Sequence, residues 1–315
     1  MNEIEINRHN LLIDPHLSVW GWEIPVYLFL GGLAAGIMIL TALAAARPAA
    51  ERSRLMRRLP FAAPAVLSLG MLALFLDLHS KLHVFRFYLA WRLTSPMSWG
   101  AWILLAIYPA TILLGLASLT EREGAWLAAR GPGRALRLDA LARWARGFGE
   151  RHGAGLRWTN IVLGAALGVY TGILLSTLGA RPAWSSALLG PLFLVSGVSA
   201  GAAFLMLFPV SHDEHRLLRR WDLGAIGVEA GLLLLYLLAL AQSAGLAGQT
   251  AAALFLGGRF TAPFWALVVI AGLAVPLALE LVEGRRGSRP TLVAPALVLL
   301  GGLALRWILV LAGQA

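Results

Sequence analysis

Eight stretches of about 18 or more mostly apolar residues run through the chain, at about 22–45, 60–80, 98–119, 158–179, 187–209, 223–243, 262–283 and 291–312. A helix needs that length to cross roughly 30 Å of hydrocarbon. Inside a bilayer only helices and closed barrels satisfy their own backbone polar groups. Residues 24–46, 98–119, 158–179 and 182–210 carry no charged side chain. The pattern predicts an all-α integral membrane fold, one polytopic domain over residues 1–315 with eight transmembrane helices. The segment 244–260 is apolar but short and Gly-rich, and reads as a loop or re-entrant piece.

Composition removes other classes. Only 13% of the 315 residues are charged, about half of what a soluble domain carries. No cysteine is present, which excludes disulfides, thioether-bound haem, thiolate-ligated iron–sulfur clusters and a thiol nucleophile. The net charge of +10 could suggest nucleic acid in a soluble protein; here its placement sets orientation instead.

The loops after the first, third, fifth and seventh spans hold 19 of the 26 lysines and arginines, eight of them between Arg122 and Arg157. This excess predicts that those loops face the cytoplasm, with both termini periplasmic. Met1 to Ser18 is polar and the first apolar run is long enough to span, so the reading is of no cleavable signal peptide. The long basic loop, 120–157, contains Arg134–Glu150, with Leu141, Trp144 and Phe148 on one face and arginines opposite. That stretch reads either as an amphipathic helix on an anionic leaflet or as a solvated basic loop. A weak repeat pairs Gly32–Gly36 of the first span with Gly197–Gly201 of the fifth. It suggests two parallel four-helix halves with close backbone approach at the small residues.

Polar groups within a span are costly and are functional candidates by default. They are Asp77 late in the second span, Glu229 in the sixth and Arg306 in the eighth; Glu23 and Glu280, at span ends, read as interfacial. Asp77 has a structural alternative, a pair with Lys81 one helical turn later. Arg306 could snorkel outward, and the estimated depths of Glu229 and Arg306 argue against direct pairing. A haem b needs facing axial histidines. Only His79 and His83 approach the membrane, and as i, i+4 neighbours they cannot sandwich a haem. Trp20, Trp22, Glu23, Tyr27, Asp77, His79, Lys81, His83, Arg86, Tyr170 and Thr171 gather toward the outer ends of the first four spans. This suits an amphipathic head group such as a quinone, or an ordinary aromatic belt.

The chain resembles the NrfD/PsrC family, the membrane subunits of polysulfide reductase and nitrite reductase electron-transfer complexes. The resemblance runs from Trp22-Glu-Ile-Pro-Val-Tyr27 through Gly36, Thr94–Trp102, Tyr170-Thr-Gly172, Ser196–Gly201 and Glu229 to Leu305-Arg306 and Ala312-Gly-Gln314. It implies a quinone-binding membrane anchor subunit of a respiratory complex in the bacterial inner membrane. Menaquinone or ubiquinone would be the substrate, and the subunit would hold no haem, iron–sulfur cluster or metal of its own. Electrons would pass to or from a periplasmic ferredoxin-like subunit with 4Fe–4S clusters, which serves a molybdopterin catalytic subunit or a multihaem cytochrome. Carried over by position, Tyr170 and Tyr27 contact the quinone, with Asp77 acting in the reaction. His79, Lys81 and His83 complete the quinone site, although Asp77-Leu-His-Ser-Lys81 departs from the family's Leu-Gly-Arg-Pro-like run. Glu229 and Arg306 fall on a proton route. The competing reading from a different class is a secondary transporter or permease, for which Pro209 and Pro276 are candidate helix breaks.

Overall fold

The computed structural model describes residues 20–78, 81–89, 92, 94–129, 138–177, 181–243, 245–286 and 291–315. Eight helices in it are long and apolar enough to cross a membrane. They are α1 (Glu23–Ala44), α2 (Arg54–Asp77), α3 (Pro96–Ser118), α4 (Asp139–Ser176), α5 (Leu189–Met206), α6 (His212–Ala241), α7 (Thr261–Arg285) and α8 (Val293–Ala312). The described residues contain no strand. Leucines, isoleucines and tryptophans such as Leu72, Leu234, Leu235 and Ile270 are exposed on the outer faces. Apolar surface of that extent belongs against lipid rather than water.

The helices begin earlier on the basic side than hydropathy suggests, because polar residues there cap and extend them. The Ser53 hydroxyl accepts from the Met56 amide, starting α2 six residues before the apolar run expected at 60. Ser211 and Glu214 form a reciprocal capping box that starts α6 at His212 rather than 223, so two buried-backbone donors are satisfied at once. The basic stretch before the fourth span is continuous with it; α4 runs on through a non-helical His152 (φ −123°, ψ 20°). Trp144, Phe148 and His152 stack along one side of this extension. Of Arg134–Glu150, residues 134–137 lie outside the described residues. The segment expected as a loop or re-entrant piece contains a short helix, Leu246–Leu256. In α7, residues Phe264–Ala274 are π-helical. These wider turns end just before Pro276, which has no N–H to give the preceding turn and whose ring would crowd its carbonyl.

In the first half α1 packs on α2 and α4, and α3 on α4; in the second, α5 packs on α6 and α8 on α7. The halves join mainly where α1 meets α5, with α4 against α5 and α1 against α8. There the two copies of the repeat face each other. A Cβ built on Gly197 would stand 2.6 Å from the Gly32 carbonyl oxygen, and one on Gly201 would stand 2.7 Å from the Gly36 Cα. Contacts that rise together along both helices mean the pair is parallel. Only glycine permits this approach, because any side chain would occupy the partner backbone.

The basic loops share one end of the bundle. The Ser53 amide donates to Glu214 Oε1 at 2.9 Å, and Arg52 Nη1 to Ser118 Oγ at 3.1 Å. Glu123 caps its own helix through Thr120 and receives Arg57 Nε at 3.0 Å, with Arg54 and Arg58 at 3.6 and 3.5 Å. Burial pushes the Glu123 carboxyl up, but hydrogen bonds from Arg57 and Thr120 outweigh it and hold the group below its ordinary value.

Candidate functional site

At the end opposite the basic loops, a cavity of about 620 Å3 opens between α1, α2, α3 and α4. That is the size of small-molecule pockets generally. Its wall is chiefly Ile24, Leu28, Met71, Leu74, Leu104 and Leu174, while Tyr27, Ser68, Asp77, Tyr88, Tyr170 and Thr177 supply polar atoms. Leu72, Phe75 and Met97 on its rim are exposed on the lipid-facing side, so the opening is lateral as well as outward.

Each polar group is placed by its helix. Tyr27 sits one turn into α1 and is buried at 2% exposure; Tyr170 lies in the last third of α4. Their hydroxyls interact across the cavity floor. Gly100 of α3 lies directly under the Tyr170 ring, where a Cβ would collide with the ring atoms. Asp77 is the last residue of α2, since Leu78 turns to extended backbone (ψ 124°). Ser68 of the wall shares a hydrogen bond of 3.0 Å with Tyr108. Trp20 stacks on Trp184 with centroids 5.0 Å apart, and Trp184 donates its indole N–H to the Leu309 carbonyl at 2.8 Å. Gln314 grips the Trp20 backbone from both sides, accepting from its amide at 3.0 Å and donating to its carbonyl at 3.2 Å. The C-terminal end of the sequence thus fixes one wall of a cavity built by the first half.

Three of the expected residues, Tyr27, Asp77 and Tyr170, line this one cavity. Lys81 and His83 do not; both are exposed in a short 3₁₀ turn outside it. The structural alternative pairs Asp77 with Lys81 one helical turn later, but α2 stops at Asp77, so that i, i+4 relation is not formed. Asp77 and Lys81 accordingly make no ion pair among the described residues. His79 lies outside the described residues. Ser68 and Tyr88 were not singled out by sequence, because a lone serine and a loop tyrosine carry no pattern. Among the described residues no three metal-ligating groups cluster.

A second polar cluster is buried between the halves. Arg306 is fully buried, which rules out snorkelling. Its Nη1 donates to Ser196 Oγ and the Gly302 carbonyl, both at 2.9 Å, and Nη2 donates to the Phe193 carbonyl at 3.1 Å. The guanidinium also faces the Phe193 ring at 5.0 Å, a cation–π arrangement favoured when desolvated. Its cap at α1 is Gly32, where a Cβ would stand 2.9 Å from Nη2. Glu229 of α6, 3% exposed, lies beside Ser196 and within electrostatic reach of Arg306. Ser196 bridges the two groups, and among the described residues no direct ion pair joins them, in keeping with the depth argument against direct pairing.

The fold and the lateral cavity define a multi-pass helical membrane protein with a ligand-sized pocket at one end of its first four helices. The chain belongs to the family described as Polysulphide reductase, NrfD, whose model matches residues 10–315. It is 31% identical over 309 residues to the C subunit of the polysulfide reductase of Wolinella succinogenes, covering 94% of each sequence. It is 30% identical over 312 residues to the protein NrfD of Escherichia coli K12, covering 94% of this sequence and 95% of that one.

Proposed function

We propose that this protein is the quinone-binding membrane anchor of a respiratory oxidoreductase complex, and that the cavity between α1 and α4 is where quinol is oxidised or quinone reduced. The observation that carries the reading is the cavity itself. It combines an apolar wall open toward lipid with the hydroxyls of Tyr27, Tyr88 and Tyr170 and the carboxyl of Asp77. A quinone has the same two parts, an isoprenoid tail that stays in the bilayer and a head group with two carbonyl oxygens. The match to one subunit of a polysulfide reductase over 94% of the sequence supports membership of a multi-subunit reductase.

In the oxidising direction, quinol gives up two electrons and two protons. Tyr27 and Tyr170 hold one head-group oxygen by hydrogen bonding, and Asp77 at the cavity mouth accepts the two protons of the quinol in succession, passing the first outward before it takes the second. The electrons leave to a partner subunit docked at the periplasmic end, an iron–sulfur protein serving a molybdopterin enzyme or multihaem cytochrome. The membrane subunit supplies binding, orientation and proton acceptance while the redox centres belong to its partner. The excess of lysine and arginine in the basic loops supports a cytoplasmic position for the other end, in the bacterial inner membrane.

The test is quinol oxidation by the purified complex. Tyr170→Phe and Asp77→Asn are each expected to lower turnover by about 10²-fold or more, the scale of positioned acid–base groups, without loss of assembly. Unchanged turnover in both variants would move the site elsewhere.

A further inference from the structure

Beneath the Glu229–Arg306 cluster, toward the basic loops, lies a second buried group that neither the family match nor the cavity accounts for. Asp222 of α6 is fully buried and Glu280 of α7 is 2% exposed. The two carboxyls interact side by side. Asp222 Oδ1 accepts a hydrogen bond from the Ser199 hydroxyl of α5. Asp222 Oδ2 and both oxygens of Glu280 have no donor. Around them, Arg219 and Glu283 act on Glu280 from the basic side, and Asp222 is felt by Glu229 from above. Glu283 is itself occupied, accepting from the Thr291 amide at 3.1 Å and from its hydroxyl.

Two ionised carboxylates cannot share one desolvated site, because their repulsion is unscreened and their oxygens can only accept. The orphaned oxygens become satisfied together if one O–H is placed between them. We propose that Asp222 and Glu280 form a carboxyl–carboxylate pair that holds a single proton, a proton-binding site at the basic-loop end of the second half. Asp222 and Glu229 are seven residues apart on α6, two turns and about 10 Å along one helix face. Ser199 and Ser196, three residues apart on α5, stand beside them. The pair is therefore the lower step of a polar ladder that rises through Glu229 to Arg306. The π-helical turns of α7 precede Glu280 on the same helix and contribute Val268 and Gly272 to the crevice around Glu229. Such turns recur at functional sites.

The site stands on carboxyl geometry and not on the quinone reading, so it is tested without turnover. Infrared spectroscopy of the purified full-length protein in lipid nanodiscs at neutral pH detects protonated carboxyls, and exchange into D2O identifies them. The double variant Asp222→Asn/Glu280→Gln is expected to lose one carboxyl equivalent per molecule, scaled to the tyrosine ring band. Loss of none would mean two carboxylates and loss of two would mean two independent acids; either overturns the proposal. Should that variant fail to fold, a hydrophobic carbodiimide, which attacks protonated carboxyls in apolar surroundings, tests the unaltered protein. One adduct per molecule, mapped to Asp222 or Glu280, is expected; no adduct on either would contradict the shared proton.

Discussion

The Tyr170 ring rests on the backbone of Gly100, so closely that a β-carbon at position 100 would penetrate it. The position of the phenol in the cavity is therefore set by a glycine on the neighbouring helix. Gly100→Ala is expected to displace Tyr170 while leaving both tyrosine hydroxyls chemically intact. Overpacking of this kind costs about 1–3 kcal/mol. Expressed as binding, that is about 5- to 150-fold weaker affinity for a quinone analogue, measured by titration of the purified complex. Unaltered affinity would mean that Tyr170 does not position the ligand.

The close crossing of α1 and α5 holds the two halves together through Gly32, Gly36, Gly197 and Gly201. Gly197→Val is expected to force the helices apart and lower the melting temperature of the detergent-solubilised protein by several degrees. A glycine with open space around it, Gly224 or Gly231, makes the control, and Gly231→Ala should leave the melt within a degree or raise it.

Arg306 illustrates a buried charge whose removal strands its partners. Arg306→Met leaves Ser196, the Phe193 carbonyl and Glu229 facing each other without the cation, and is expected to destabilise the protein by about 3–5 kcal/mol. Adding Glu229→Gln should restore part of that loss, because the unpaired acid is then neutral. A thermal-melt double-mutant cycle reads the coupling; strictly additive losses would show that the two groups do not interact.

Glu123 ties the loops after the first and third spans through Arg57, and its carboxyl is held below the ordinary glutamate value. A depressed folded-state pKa adds stability above the unfolded-state pKa, and that contribution fades as pH falls through the folded value. Stability is therefore expected to drop on acidification below the usual glutamate range. Glu123→Gln should be less stable at neutral pH and show a flatter acid limb. A variant whose acid limb matches the parent's would show that this contact contributes nothing.

Much of the bundle is readable from residues alone, because eight apolar runs of sufficient length leave few other folds. The charge asymmetry likewise shows which loops meet, as the Ser53–Glu214 and Arg57–Glu123 contacts confirm. What escaped was set by local geometry at helix ends. Asp222 fell outside the apolar run starting at 223, although the capping box at Ser211 extends α6 back past it and turns it into the core. Glu280 looked interfacial because Arg285 follows closely, yet its side chain points inward to Asp222. Lys81 and His83 were grouped with the site because they are polar and follow the outer end of the second span, and α2 ends at Asp77, leaving both exposed beyond it. Tyr27 and Tyr170, a turn or more inside their spans, were insensitive to such end effects.

Photolabelling asks most directly whether the cavity between α1 and α4 holds the quinone, and it relies on no substitution. A photoreactive azidoquinone, equilibrated with the complex in liposomes and illuminated, is expected to attach to cavity residues such as Met71, Met97 or Leu174, and to be displaced by excess native quinone. Specific, displaceable label confined to the second half, around Glu229 and Gly301, would contradict that assignment.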